Sequence, residues 1–74
     1  MRVWQVKAGH PIILPQGTEF MRGGLGSEVW YNPVMNKSYY ITGSAQFGWQ
    51  IMEYDQPLCS TCWKRYAEYQ ERRR

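Results

Sequence analysis

The stretch Glu28-Val-Trp-Tyr-Asn-Pro-Val-Met-Asn-Lys-Ser-Tyr-Tyr-Ile-Thr-Gly-Ser-Ala-Gln-Phe-Gly-Trp-Gln-Ile-Met-Glu-Tyr54 decides the fold. Glu28–Tyr31 and Lys37–Thr42 carry the β-branched and aromatic residues that suit a pleated surface. Between them, Asn32-Pro-Val-Met-Asn36 opens with Asn-Pro and closes with Asn-Lys, which suits a hairpin loop. A second turn, Gly43-Ser-Ala-Gln46, leads into Phe47–Tyr54, where Phe47, Trp49 and Ile51 alternate with Gly48, Gln50 and Met52. The pattern predicts a three-stranded antiparallel meander. Strand alternation sends Trp30 and Tyr31 to opposite faces, and likewise Tyr39 and Tyr40. One set builds the core, and the other is exposed or covered by a helix.

Upstream, Arg2-Val-Trp-Gln-Val6 alternates as a strand does, and Ala8-Gly9-His10-Pro11 is turn material. Pro11-Ile-Ile-Leu-Pro15 is bracketed by prolines, which confines it to an edge strand or an extended crossing segment. Gln16-Gly17 turns the chain into Thr18–Met21, and the glycines of Arg22-Gly-Gly-Leu-Gly-Ser27 predict a flexible loop. Downstream the period changes. Asp55 as a cap and Pro57 in the first turn predict a helix over 57–72. Leu58, Cys62, Tyr66 and Tyr69 or Gln70 share one stripe of it, with Cys59, Trp63 and Ala67 beside them. The expected fold is α+β, a single domain over residues 1–74, with a small antiparallel sheet of four to five strands closed by a C-terminal helix.

A chain of 74 residues buries only roughly 60–65% of its unfolded surface and needs reinforcement. Four Trp, six Tyr and two Phe offer it, enough for a core and a binding face together. The net charge of +3 lies wholly in the last eighteen residues, where Lys64, Arg65, Arg72, Arg73 and Arg74 outnumber Glu68 and Glu71. The preceding residues balance: Arg2, Lys7, Arg22 and Lys37 against Glu19, Glu28, Glu53 and Asp55. Two cysteines are too few for a disulfide scaffold, and the apolar run Ile12–Leu14 is far too short to span a bilayer. With no leader-like start, the expectation is a soluble cytoplasmic protein with reduced thiols and no membrane association.

Cys59-Ser-Thr-Cys62 has a spacing that could share a zinc ion, but zinc then needs two more ligands. His10 and a carboxylate would have to be gathered from elsewhere, so we read the pair as small apolar residues on the helix's inner face. Redox dithiol chemistry would want a βαβ frame that this pattern does not provide. The glycine run lacks the helix opening and the Lys-Ser/Thr of a phosphate loop. No catalytic grouping stands out and no cofactor is expected. Trp30, Tyr31, Tyr39, Tyr40, Phe47 and Trp49 could stack bases. Yet Lys37 is the one basic residue between Gly23 and Lys64, which favours a protein-docking face. The basic end would steer the protein toward phosphates or an acidic surface.

In length, in its basic end and in the course of the chain from Met1-Arg-Val-Trp4 onward, the sequence resembles the small transcription regulators of lytic Xanthomonas phages. The resemblance implies a non-catalytic protein that binds host RNA polymerase in the host cytoplasm. It implies inhibition of initiation by σ-factor displacement, and antitermination during elongation. The implied contacts are the β′ N-terminal region and the vicinity of the β flap, with nascent RNA nearby. From the chain itself, the expected partner-binding residues are Arg2, Trp4, Trp30, Tyr39, Lys64, Arg65, Arg72 and Arg73, on a monomer. The alternative is a small nucleic-acid-binding module using the basic helix and the aromatic strands.

Overall fold

The computed structural model describes residues 1–73, an elongated body of 43 × 19 × 18 Å. Five antiparallel strands form one sheet: β1 (Arg2–Val6), β2 (Glu19–Gly24), β3 (Ser27–Asn32), β4 (Lys37–Ser44) and β5 (Gly48–Tyr54). A single helix follows, α1 (Ser60–Arg72). The spatial order is β1-β5-β4-β3-β2, so the meander runs inward from β2 and the first strand returns to pair with the last. The α+β class and the central meander follow the sequence. The sheet, however, stays open: the helix leans on β2 at one end and does not close it.

Registered residues share a face, so the register sorts the aromatics. On one face lie Trp4, Val6, Trp30, Tyr39, Ile41, Trp49 and Ile51, with Tyr39, Ile41 and Ile51 buried at the centre. The lid on this face is not the helix but the proline-bracketed segment, whose Ile12 and Leu14 pack against that centre. Pro11–Pro15 is therefore an extended crossing segment, as its prolines demand, and not a strand. Burying each isoleucine contributes about 1.5–3 kcal/mol. The opposite face carries Tyr31, Ser38 and Tyr54 in one row and Val29, Tyr40 and Met52 in the next. Tyr31 is fully buried there, while Tyr40 and Met52 are half-covered.

Two expectations are corrected at the glycines and at the helix start. Arg22–Ser27 is not a loose loop: Arg22, Gly23 and Gly24 pair with Val29, Glu28 and Ser27 inside the sheet. A Cβ on Gly23 would sit 2.2 Å from the Ser27 carbonyl oxygen, so glycine is what lets the two strands approach. The helix begins three residues later than its period suggested, with Cys59 and not Asp55 as the cap. The Cys59 Sγ accepts the Cys62 N–H at 3.2 Å. Asp55 is occupied elsewhere, hydrogen-bonded by the Lys37 ammonium.

Candidate functional site

One row of the sheet crosses all five strands: Arg2, Glu53, Tyr39, Trp30 and Phe20 stand in register. Three of the four sheet residues expected at an interface, Arg2, Trp30 and Tyr39, lie in this row, and Trp4 leans on it. The Arg2 guanidinium sits 4.5 Å from the Trp4 ring centroid, and Trp4 meets Tyr39 edge-on at 6.2 Å. The Tyr39 hydroxyl donates to Glu53 Oε2 at 2.9 Å. Glu53 also has Arg2 at 3.7 Å and Lys37 at 3.9 Å. At the far end Phe20 packs edge-on against Trp30 at 5.4 Å, and Trp30 Nε1 donates to Glu28 Oε1 at 2.9 Å.

This geometry divides the expected contacts. Tyr39 is fully buried and offers a partner nothing; its hydroxyl pKa is pushed up to about 12 by burial first and by Glu53 second. Trp30 is half-covered by Phe20, a half-exposed residue that sequence reasoning passed over. Arg2 and the outer side of Trp4 remain accessible on the edge strand. Under the Pro11–Pro15 segment, which straps this face, a cavity of about 340 Å³ is lined by Ile12, Leu14, Glu28, Trp30 and Ile41.

The helix cations do not join this row. Arg65 is committed internally, its Nε and Nη2 reaching Glu19 at 2.9 and 3.1 Å. That bond first, and the nearby Glu19 charge, raise the Arg65 pKa. The pair clamps α1 to β2, which makes Arg65 a latch and not a free contact. Lys64, Arg72 and Arg73 are exposed, with the Arg73 guanidinium 5.8 Å from the Tyr69 ring. Trp63 is exposed as well, edge-on to Tyr66 at 5.7 Å.

Cys62 is buried on the helix's inner stripe, as read from the sequence, and burial followed by its hydrogen bond to Cys59 pushes its thiol pKa up. Among the described residues no group of three or more His, Cys, Asp or Glu side chains is placed to hold a metal, so His10, Cys59 and Cys62 are not brought together. No helix among them is long and apolar enough to cross a membrane. No protein-family model matches the chain, and neither curated proteins nor solved structures give a match.

Proposed function

We propose that this protein is a non-catalytic docking module and that its target is bacterial RNA polymerase. On this reading, binding displaces σ and inhibits initiation, and during elongation it favours antitermination. The choice of polymerase rests on the sequence resemblance. The docking class rests on one observation: the basic side chains that flank the sheet's central aromatic row already have internal partners. Arg2 lies on Trp4 beside Glu53, and Lys37 bonds to Asp55. The aromatics around them pack edge-on against each other and leave no row of rings for bases to stack on. What the surface presents instead is apolar, including Phe47 at 84% and Trp63 at 53% exposure. Side chains of that type anchor protein interfaces.

The contact would lie at the β′ N-terminal region and the β flap vicinity. There the exposed Lys64, Arg72 and Arg73 reach toward acidic protein or nascent RNA. The test is capture from nuclease-treated bacterial lysate on immobilised protein. Enrichment of core polymerase subunits with depletion of σ is expected, and unchanged recovery of polymerase over a blank matrix refutes the target.

The same exposed helix cations favour a second reading, a nucleic-acid-binding module. That reading requires affinity for bare RNA or DNA falling steeply between low and physiological salt. Salt-independent or absent binding removes it.

A further inference from the structure

The two edges of the sheet are built differently. On the β2 edge the pairing slips between Phe20 and Arg22, two glycines follow at Gly23 and Gly24, and Arg65 of the helix is bolted to Glu19. A bulge and a covering element are among the usual devices that stop a sheet from recruiting another strand. The β1 edge has none of them. Arg2–Val6 contains neither Gly nor Pro and pairs with β5 through five consecutive positions without a slip.

In an antiparallel pair, alternate residues direct their N–H and C=O groups at the neighbour and the others point away. A Cβ on Gly48 would lie 2.8 Å from the Val6 carbonyl oxygen, which places that carbonyl on the β5 side. Alternation then turns the backbone groups of Val3 and Gln5 outward, and both residues are exposed. Among the described residues no backbone hydrogen bond from segment 8–18 reaches residues 2–6.

We propose that the free edge of β1 takes up an extended acidic segment of another protein as a sixth strand of the sheet. The inference rests on the docking reading and names the way the partner is held. Main-chain bonds to Val3 and Gln5 supply the attachment, and charge selects the segment. Arg2 and Lys7 stand at the two ends of the strand, both exposed and five positions apart. Carboxylates with the same spacing on an added strand would fall opposite them. Between the acids, apolar residues on alternating positions would extend cover over Val3 and Met52 on one face.

A second copy of this chain is a poor occupant. Two-fold antiparallel pairing through Val3 and Gln5, centred on Trp4, sets Arg2 of each copy opposite Val6 of the other, one position from Lys7. Arg2 and Lys7 then collect at both ends of the ribbon, and a second copy brings no carboxylate there except the Glu53 that already flanks each Arg2.

The test titrates the 15N-labelled full chain with a capped peptide of alternating valine and threonine carrying glutamates five positions apart. A control peptide carries lysines there. The glutamate peptide is expected to slow amide exchange at Val3 and Gln5 and to show cross-strand contacts to β1. The lysine peptide should bind on the order of ten-fold more weakly, since each position changes from an attractive to a repulsive pair. Lys7→Glu, outside the strand and free of internal partners among the described residues, should shrink that preference. Gln5→Pro removes an outward N–H and should abolish peptide binding while melting near the parent temperature; if it unfolds, Lys7→Glu carries the test alone.

Shifts mapping away from β1, equal binding of the two peptides, or concentration-dependent self-association through β1 would each overturn the proposal. Polymerase capture separates the two readings. Capture that survives a folded Gln5→Pro chain sinks the edge and leaves the docking target. Peptide binding at β1 without polymerase capture does the reverse.

Discussion

Asn32 is fully buried and uses both ends of its amide. Its Oδ1 accepts from the Val34 and Met35 N–H groups, each at 3.0 Å, and so shapes the β3–β4 turn. Its Nδ2 donates to the Gln16 carbonyl at 3.1 Å and to Thr18 Oγ1 at 3.3 Å, and so ties down the end of the strap that covers the core. Asn32→Asp keeps the volume and the acceptor but replaces the donor with a second anionic oxygen. Thr18 could turn its hydroxyl toward a carboxylate; the Gln16 carbonyl cannot become a donor. Leaving the partly buried Gln16 carbonyl unpaired costs up to about 1–3 kcal/mol, and burying the new charge adds more. Lys37 is opposite in register, but its ammonium is engaged by Asp55 and Glu53.

A total loss of roughly 3–5 kcal/mol corresponds to a fall in Tm of roughly 12–40 °C for a domain of this size. Acid should relieve it, because the new side chain, once protonated, could donate to Gln16 again. Burial and the facing carbonyl raise the folded pKa of the new carboxyl above its unfolded value near ~4. The folded variant then binds more protons, so its deficit is least below that unfolded value and grows as pH rises through the folded one. Thermal melts of both chains followed by circular dichroism between pH 4 and 7 read this directly. A variant melting within a few degrees of the parent at pH 7, or a gap indifferent to pH, refutes the assignment of Asn32 as the strap's tether.

Gly43 has φ +126°, and a Cβ there would lie 2.2 Å from the Gly48 carbonyl oxygen, so Gly43→Ala should cost about 3 kcal/mol or more. Gly24→Ala, with open space around it, should change stability by under about 1 kcal/mol, and urea melts that fail to separate the two would contradict the close approach. Cys59→Ser places a better acceptor at the helix cap and should stabilise by about 0.5–1 kcal/mol; an unchanged or lower midpoint rules out the capping role. The Tyr31 and Tyr39 hydroxyls are both pushed up to about 12, chiefly by burial, against an ordinary value of 10. Raised folded pKa values mean that this stability is complete below pH 10 and is lost as pH rises from 10 to 12. Urea midpoints across that window should fall steeply for the parent and less for Tyr39→Phe, and equal slopes would remove Tyr39 from the account.

The meander was legible because its signals are local: period-two aromatics bounded by Asn-Pro and Gly-Ser turns. Arg2–Val6 was legible for the same reason, although nothing in it says that its partner is the last strand. The glycine run misled because three glycines in four residues resist regular structure on average. Here Gly23 is selected by the Ser27 carbonyl oxygen, 2.2 Å from where its Cβ would sit, a cross-strand approach that composition does not reveal. The cap was misplaced because Asp55 is the better capping residue by type, and its use by Lys37, eighteen positions distant, is a tertiary fact. The burial of Tyr39 was hidden from the sequence on the same ground. Alternation shows that Tyr39 and Tyr40 differ in face, but which face the strap covers depends on where Ile12 and Leu14 land.

A helix that closed the sheet would have needed its apolar stripe across the middle strands. Instead Cys62 and Tyr66 lie near enough to Tyr31 to help raise its pKa, while the Arg65–Glu19 latch holds α1 to the β2 end. The second face is left covered at that end and thinner toward β1, where Val3 is exposed beside a half-covered Met52. The strap, meanwhile, supplies core cover without spending a strand or adding to either edge. A 74-residue chain can therefore complete a hydrophobic centre and still keep one sheet edge free. A partner strand laid along β1 would extend cover over the part of the sheet the helix leaves bare. Docking there and the completion of the fold would then be the same event.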